Sequence, residues 1–259
     1  MIPRIVLNVI SRYLASVGLV TCLLIACALP FVVAAVWQTR ARNWRMLWLV
    51  GVLLLVETAV TSIPPIEGLK HLHWHWQECL LSIAWPLLLV RFVPTISLNS
   101  IGVTSRLRPG WLTPSIIALL IAMAVPAVFF ALGSRSKLTT EGWLYLSTMP
   151  GLAEELVFRG VFQSLLNRAF PRSWKIAGAF CGWGLVITAV LFAGANGLVN
   201  VDPQLHPHLV LQAGIVPFLM SLVSGWVRER TDSIWPSVLG HNLSNLVIPF
   251  ASAYAALVH

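Results

Sequence analysis

Eight apolar stretches, each close to the length of a membrane-crossing helix, dominate this chain. They cover residues 14–36, 46–63, 78–96, 114–133, 143–167, 177–199, 208–227 and 234–256. A helix needs about 20 mostly apolar residues to cross the hydrocarbon core of a bilayer. Lipid offers no partner to an unpaired backbone group, so such stretches must close their hydrogen bonds internally, as helices do. Only 10% of the 259 residues are charged and 58% are hydrophobic, against about 25% charged in soluble domains. The expectation is an all-α, polytopic integral membrane protein of about eight transmembrane helices. Residues 1–135 supply four of them. Residues 136–259 supply four more, which carry the motifs below, in one membrane domain.

Charge and aromatic placement agree with that reading. Trp37, Trp44, Trp48, Trp74, Trp76, Trp111, Trp143, Trp174, Trp226 and Trp235 fall near the ends of the stretches, as an interfacial belt does. The net charge of +8 raises nucleic acid as a partner. The basic residues are scattered between apolar runs rather than gathered on one face, so nucleic acid is set aside and lipid orientation accounts for them. With the N-terminus outside, eleven Lys and Arg fall on inner segments and five on outer ones, with Arg159 between. Both termini are therefore expected outside, although Arg4 and Arg12 run against it. Leu24-Ile25-Ala26-Cys27 resembles a lipoprotein cleavage box, but the apolar run continues to Val36. A signal peptide's apolar core has only about 7–15 residues, so a retained helix is expected. Cys22, Cys27, Cys79 and Cys181 lack metal-ligand spacing and read as small buried hydrophobes rather than a disulfide framework.

Against this background Glu154-Glu155-Leu156-Val157-Phe158-Arg159 stands out. A charge at mid-bilayer costs roughly 2.5–3.5 kcal/mol on insertion scales, and intramembrane charge points to function. On a helix, Glu155 and Arg159 are four apart and share a face, so they can pair. Glu154 is turned about 100° away and can point into a cavity, where a carboxylate suits general-base activation of water. The competing reading is three ion-paired groups that only lock helices together. In the last stretch His241 and Asn245 are again four apart. Both can donate hydrogen bonds to an oxyanion, or serve as interhelical polar glue. Phe192-Ala193-Gly194-Ala195-Asn196 combines small residues, which allow close helix approach, with a further polar group.

Other patterns carry less. His71-Leu72-His73-Trp74-His75-Trp76 alternates His as a metal-binding strand would, but no carboxylate or Cys completes a set, and an interfacial loop is expected. No His-Glu-x-x-His motif supports a zinc protease. Ser164, Ser221, Ser224 and Ser244 lack a Gly-x-Ser-x-Gly context. Glu57 reads as a pore or packing charge near a helix end. His206 and His208, beside Pro207, read as loop histidines. No metal or cofactor is expected.

Taken together, Glu-Glu-x-x-x-Arg, Phe-x-x-x-(His) and His-x-x-x-Asn in successive apolar stretches resemble the CAAX protease and bacteriocin-processing family, which includes the type II prenyl-protein endopeptidases. The resemblance covers about residues 145–250. It implies a glutamic intramembrane endopeptidase in which Glu154 is the general base, Glu155 and Arg159 a supporting pair, and His241 and Asn245 the oxyanion donors. One position departs. The family's motif-two His, which helps activate the water, is Asn196 here, and Asn cannot accept a proton at neutral pH, although its carbonyl can orient a water. Three readings stay open: Glu154 suffices with Asn196 positioning the water, the protein is a weakened or inactive relative, or the position is an introduced His-to-Asn change.

The implied substrate is a membrane-tethered C-terminal segment or peptide precursor: prenylated C-termini, bacteriocin precursors and C-terminal sorting signals all fit the resemblance. The short loops suit a bacterial inner membrane, which favours a sorting signal or precursor. The rival from another class is a non-catalytic immunity or binding protein of the same fold. A transporter ranks lowest because no internal repeat is found. Oligomeric state is open. One geometric demand remains. Glu154 lies mid-stretch, Asn196 near the outer end of its stretch and His241 nearer the inner end of its own. To converge, these helices must shift in level, tilt or break.

Overall fold

The computed structural model describes residues 4–40, 43–69, 71–130 and 138–258. Arg42, Lys70, Arg135 and Lys137 of the charge count, the end of the 114–133 stretch and the 135/136 junction lie outside the described residues. Eight helical rods run through what is described. They are α1 (Arg4–Thr39), α2 (Trp44–Thr61), α3 (Trp76–Phe92) and α4 (Leu112–Phe130), then a long rod made of α5 (Thr140–Glu155), a π-helical segment (Leu156–Phe162) and α6 (Gln163–Ala169). After it come α7 (Trp183–Ala193), continued by a second π segment (Gly194–Leu198), then α8 (Leu211–Thr231) and α9 (Trp235–Val258). The fold is all-α, as expected. By length and composition, residues 8–39, α2 and α8 are long and apolar enough to cross a membrane.

The rods are apolar on both sides, as lipid-embedded helices are. Ile116, Ile117, Leu120 and Ile121 of α4 are exposed, as are Leu14, Leu29, Val33, Trp37 and Trp48. The long α5–α6 rod forms the centre. Val157, Phe158, Val161, Phe162, Leu165 and Leu166 are buried in one core with Leu24 of α1, Leu54 of α2 and Ile187 of α7. α1 runs unbroken through Leu24 and Cys27, with Leu24 and Ala28 in that core. Of the four cysteines expected to be small buried hydrophobes, Cys79 and Cys181 are buried free thiols, Cys27 is half-buried, and Cys22 is exposed on α1. Glu57 is a packing charge: its carboxylate accepts from Ser82 Oγ at 2.9 Å and Trp85 Nε1 at 2.6 Å, tying α2 to α3.

Two departures from the expected stretches have local causes. The stretch 177–199 does not begin as helix. Trp174–Ile176 (β1) and Ala179–Cys181 (β2) pair antiparallel around Ala177 and Gly178, both at positive φ, the backbone that a tight hairpin turn requires. The stretch 208–227 likewise starts late. Val199–Val201 (β3) pairs with Pro207–Leu209 (β4), and α8 begins at Leu211. The His71–Trp76 segment forms no strand.

The connection at 93–110 tucks into the bundle rather than lying on it: Ile96 and Ile101 are buried. Gly160 leaves it room, since a Cβ there would meet the Ile101 carbonyl oxygen at 3.2 Å. The turn between α8 and α9 docks on this segment. Ile234 N donates to Gly102 O at 2.9 Å, and Ser233 Oγ to Thr104 O at 2.7 Å. Thr231, Ser233 and Ile234 are fully buried. The turn into α9 is therefore anchored on this inserted segment, and His241 comes opposite Glu155 although the two lie at different distances from their helix ends.

Candidate functional site

All six residues singled out from the sequence line one cavity. Glu154, Glu155 and Arg159 approach it from the α5–α6 rod, Asn196 from the end of α7, and His241 and Asn245 from α9. The cavity measures about 830 Å³ and is completed by Pro217 and Met220 of α8, among other residues.

The local folding explains each placement. α5 continues into a π segment directly after Glu155. The widened turn is a recurring device at functional sites. Glu155 Oε2 and Arg159 Nε lie 3.2 Å apart, each side chain about 1% exposed, so the expected pair is present. The Arg159 guanidinium also sits 4.7 Å from the Phe192 ring centroid, within cation–π range. Phe192 packs edge-on against Phe158 and His241, with centroids 5.1 and 6.1 Å apart. The motif-two Phe is thus the wall between the arginine and the histidine.

Glu155 does more than pair with Arg159. Its Oε1 lies 3.0 Å from His241 Nδ1, and Ser224 of α8 lines the same cavity. Glu154 faces the other way. Its Oε2 is buried and has no hydrogen-bond partner, and Asn196 lines the same cavity. Asn196 Nδ2 also donates to Phe192 O at 3.1 Å. Asn196 and Gly197 leave helical geometry, with Gly197 at φ +132°, so the helix ends where the amide enters the cavity.

Sequence reasoning missed the residue that fixes the level of α9. Asn242 Oδ1 accepts from Gly151 N at 2.8 Å and its Nδ2 donates to Thr148 O at 3.1 Å. Pro150 supplies no N–H to the helix ladder at this point, and the Asn242 amide binds the backbone on either side of it. The neighbouring Pro and Gly in α5 were the available signal. His206 and His208 take no part in the cavity. They flank Asp202 on the β3–β4 hairpin, at 3.0 and 3.7 Å. There the His206 backbone N–H, together with its ring, holds the Asp202 carboxyl below the usual carboxylate range. His75 pairs with Glu78 at 2.7 Å.

Residues 136–247 match the family model described as type II CAAX prenyl endopeptidase Rce1-like. The match spans under half of the chain but contains every residue of the three motifs. The match is to the CAAX protease family that the motifs pointed to. No curated protein and no solved structure matches the chain. The fold and the family together describe a membrane-embedded protein of CAAX-protease type.

Proposed function

We propose that this protein is a glutamic intramembrane endopeptidase that hydrolyses a peptide bond in a membrane-tethered C-terminal segment or peptide precursor, in a bacterial inner membrane. The observation that carries the proposal is the convergence of Glu154, Asn196, His241 and Asn245 on one cavity, with Glu155 and Arg159 paired behind them. Glu154 takes a proton from a water held beside the Asn196 amide. The resulting hydroxide adds to the scissile carbonyl. His241 and Asn245 hydrogen-bond to the oxyanion, and donors fixed in advance at a developing charge are a large source of catalysis. Glu154 then returns the proton to the leaving amine, and the C–N bond breaks. Glu155 and Arg159 hold His241 in place and stay outside the proton path.

A second reading is favoured by one position. Asn196 stands where the resemblance implies a His, and a non-catalytic immunity or binding protein could keep the fold with that change. Purified protein should be offered a panel of membrane-tethered C-terminal peptides in detergent, beside Asn196→His and with Glu154→Gln as blank. Cleavage by the given sequence supports the enzyme. Cleavage by the His variant alone identifies an inactivated form. Silence from both supports the binding role.

A further inference from the structure

A second, chemically distinct cavity of about 550 Å³ lies where the 93–110 connection meets the C-terminal ends of α6 and α8. Arg106, Arg168, Arg172 and Arg228 line it, with the hydroxyls of Ser100 and Ser164. Two carboxylates share the lining, Glu229 and Asp232, but both are already engaged. Glu229 accepts from Gln163 at 2.7 Å, Asn167 at 2.6 Å and Arg172 at 2.8 Å. Asp232 is held by Arg108, with Arg228 at 3.8 Å. Among the described residues, neither Arg106 nor Arg168 has a carboxylate within 4 Å. Arg228 is 8% exposed, and its Nε has no hydrogen-bond partner. It packs against Gly102, whose φ of +77° and missing side chain leave room for the guanidinium. Burying a guanidinium with an unused donor is costly, and capping two helix ends does not require it.

The cavity's level in the fold narrows the ligand. Arg168 and Asn43 bind across this end of the bundle, Arg168 to Thr95 O and Asn43 to Arg168 O. Trp44 and Trp235, half-exposed, begin α2 and α9 near it. Trp belts and Lys/Arg clusters mark the headgroup layer. Guanidinium groups match phosphate oxygens as paired donors, and basic pockets at the inner membrane face suit anionic headgroups.

We propose that this arginine cavity is a binding site for a phosphate-bearing anion, either an anionic phospholipid headgroup or free phosphate. The proposal is independent of the protease reading, because none of these residues lines the catalytic cavity.

The test uses the full chain in phosphatidylcholine nanodiscs and in detergent. Native mass spectrometry reads retention of dioleoyl phosphatidylglycerol against dioleoyl phosphatidylcholine. Thermal unfolding reads inorganic phosphate against equimolar chloride. The comparison is the double variant Arg106→Gln, Arg168→Gln, which leaves Arg228 and its partner Asp232 intact. Its unfolding temperature in phosphatidylcholine alone checks that it folds. Selective retention of phosphatidylglycerol, weakened on the order of tenfold in the variant, supports a headgroup site. A phosphate-specific rise in unfolding temperature that the variant loses supports a free-anion site. Equal retention of the two lipids with no phosphate response overturns the proposal. So does a response that the folded double variant keeps in full.

Discussion

His241 Nδ1 lies 3.0 Å from Glu155 Oε1, a contact between α9 and the central rod. An ionised carboxylate only accepts hydrogen bonds, so Nδ1 carries a proton; a neutral ring leaves Nε2 an acceptor, so His241 donates from Nε2 to an oxyanion only as the doubly protonated imidazolium. The same Glu155 carboxylate faces Arg159 through its other oxygen. One side chain therefore orients the candidate oxyanion donor and neutralises a buried guanidinium. Orientation of a His by a partner on its other nitrogen is a general feature of catalytic imidazoles.

Glu155→Ala should consequently damage both folding and turnover. Removing one member of a buried ion pair leaves the other uncompensated and costs about 3–5 kcal/mol. Arg159→Ala leaves Glu155 with His241 and should cost less. The expected result is a lower yield and unfolding temperature for Glu155→Ala than for Arg159→Ala, measured by thermal unfolding in detergent. Wild-type unfolding of both variants would remove the structural role assigned to the pair.

Glu154→Gln should leave the fold intact and stop cleavage. Its Oε2 has no partner to lose, and Gln is close to isosteric. General-base catalysis contributes about 10²–10⁴-fold, so kcat should fall by at least that range while KM changes little. Steady-state kinetics on any peptide the wild type cleaves decides it. Turnover at the wild-type rate would move the base elsewhere.

How much of this could be read in advance differs between levels. The eight rods follow the eight apolar stretches because each run is near bilayer length and lipid forces a helix on it. The pairing of Glu155 with Arg159 followed from their spacing of four. The hairpins at 174–181 and 199–209 did not follow: Ile176, Phe180 and Leu209 are apolar, so short strands beside a helix read as part of it. The burial of Ile96 and Ile101 was equally hidden. Two isoleucines among Pro, Ser and Asn show no period, and the room for the Ile101 backbone comes from the absent side chain of Gly160, far along the chain. The three motifs sit at unequal distances from their helix ends, and the inserted segment together with the Asn242 amide on α5 sets their levels.

Asn196→His should raise the cleavage rate if the given sequence cleaves at all. The Asn196 amide lines the same cavity as Glu154 but has no basic atom to offer. An imidazole there supplies a second proton acceptor near Glu154. A gain in kcat of about 10-fold or more, within the range for a positioned acid–base group, is expected in the peptide assay. An unchanged or lower rate would mean that the amide, through its bond to Phe192 O, is the better fit to this cavity.

Gly151→Ala should inactivate the protein through the level of α9 rather than through any reacting group. A Cβ at position 151 would collide with the Asn242 amide oxygen and lie 2.8 Å from Val238 O. α9 could relieve this only by moving off α5. His241 and Asn245 would move with it, away from Glu154, and a misplacement of about 1 Å can cost on the order of 10²-fold in rate. Asn242→Ala removes the amide but keeps the close approach. It leaves Gly151 N–H and Thr148 O short of a partner, at about 1–3 kcal/mol each if buried and unsatisfied. The expected order of residual activity is wild type, then Asn242→Ala, then Gly151→Ala. Kinetics and thermal unfolding together separate the effects: Gly151→Ala should lose proportionally more kcat than stability relative to Asn242→Ala. A Gly151→Ala protein with wild-type kcat would show that the cavity tolerates displacement of α9, and the positioning of His241 by this contact would have to be abandoned.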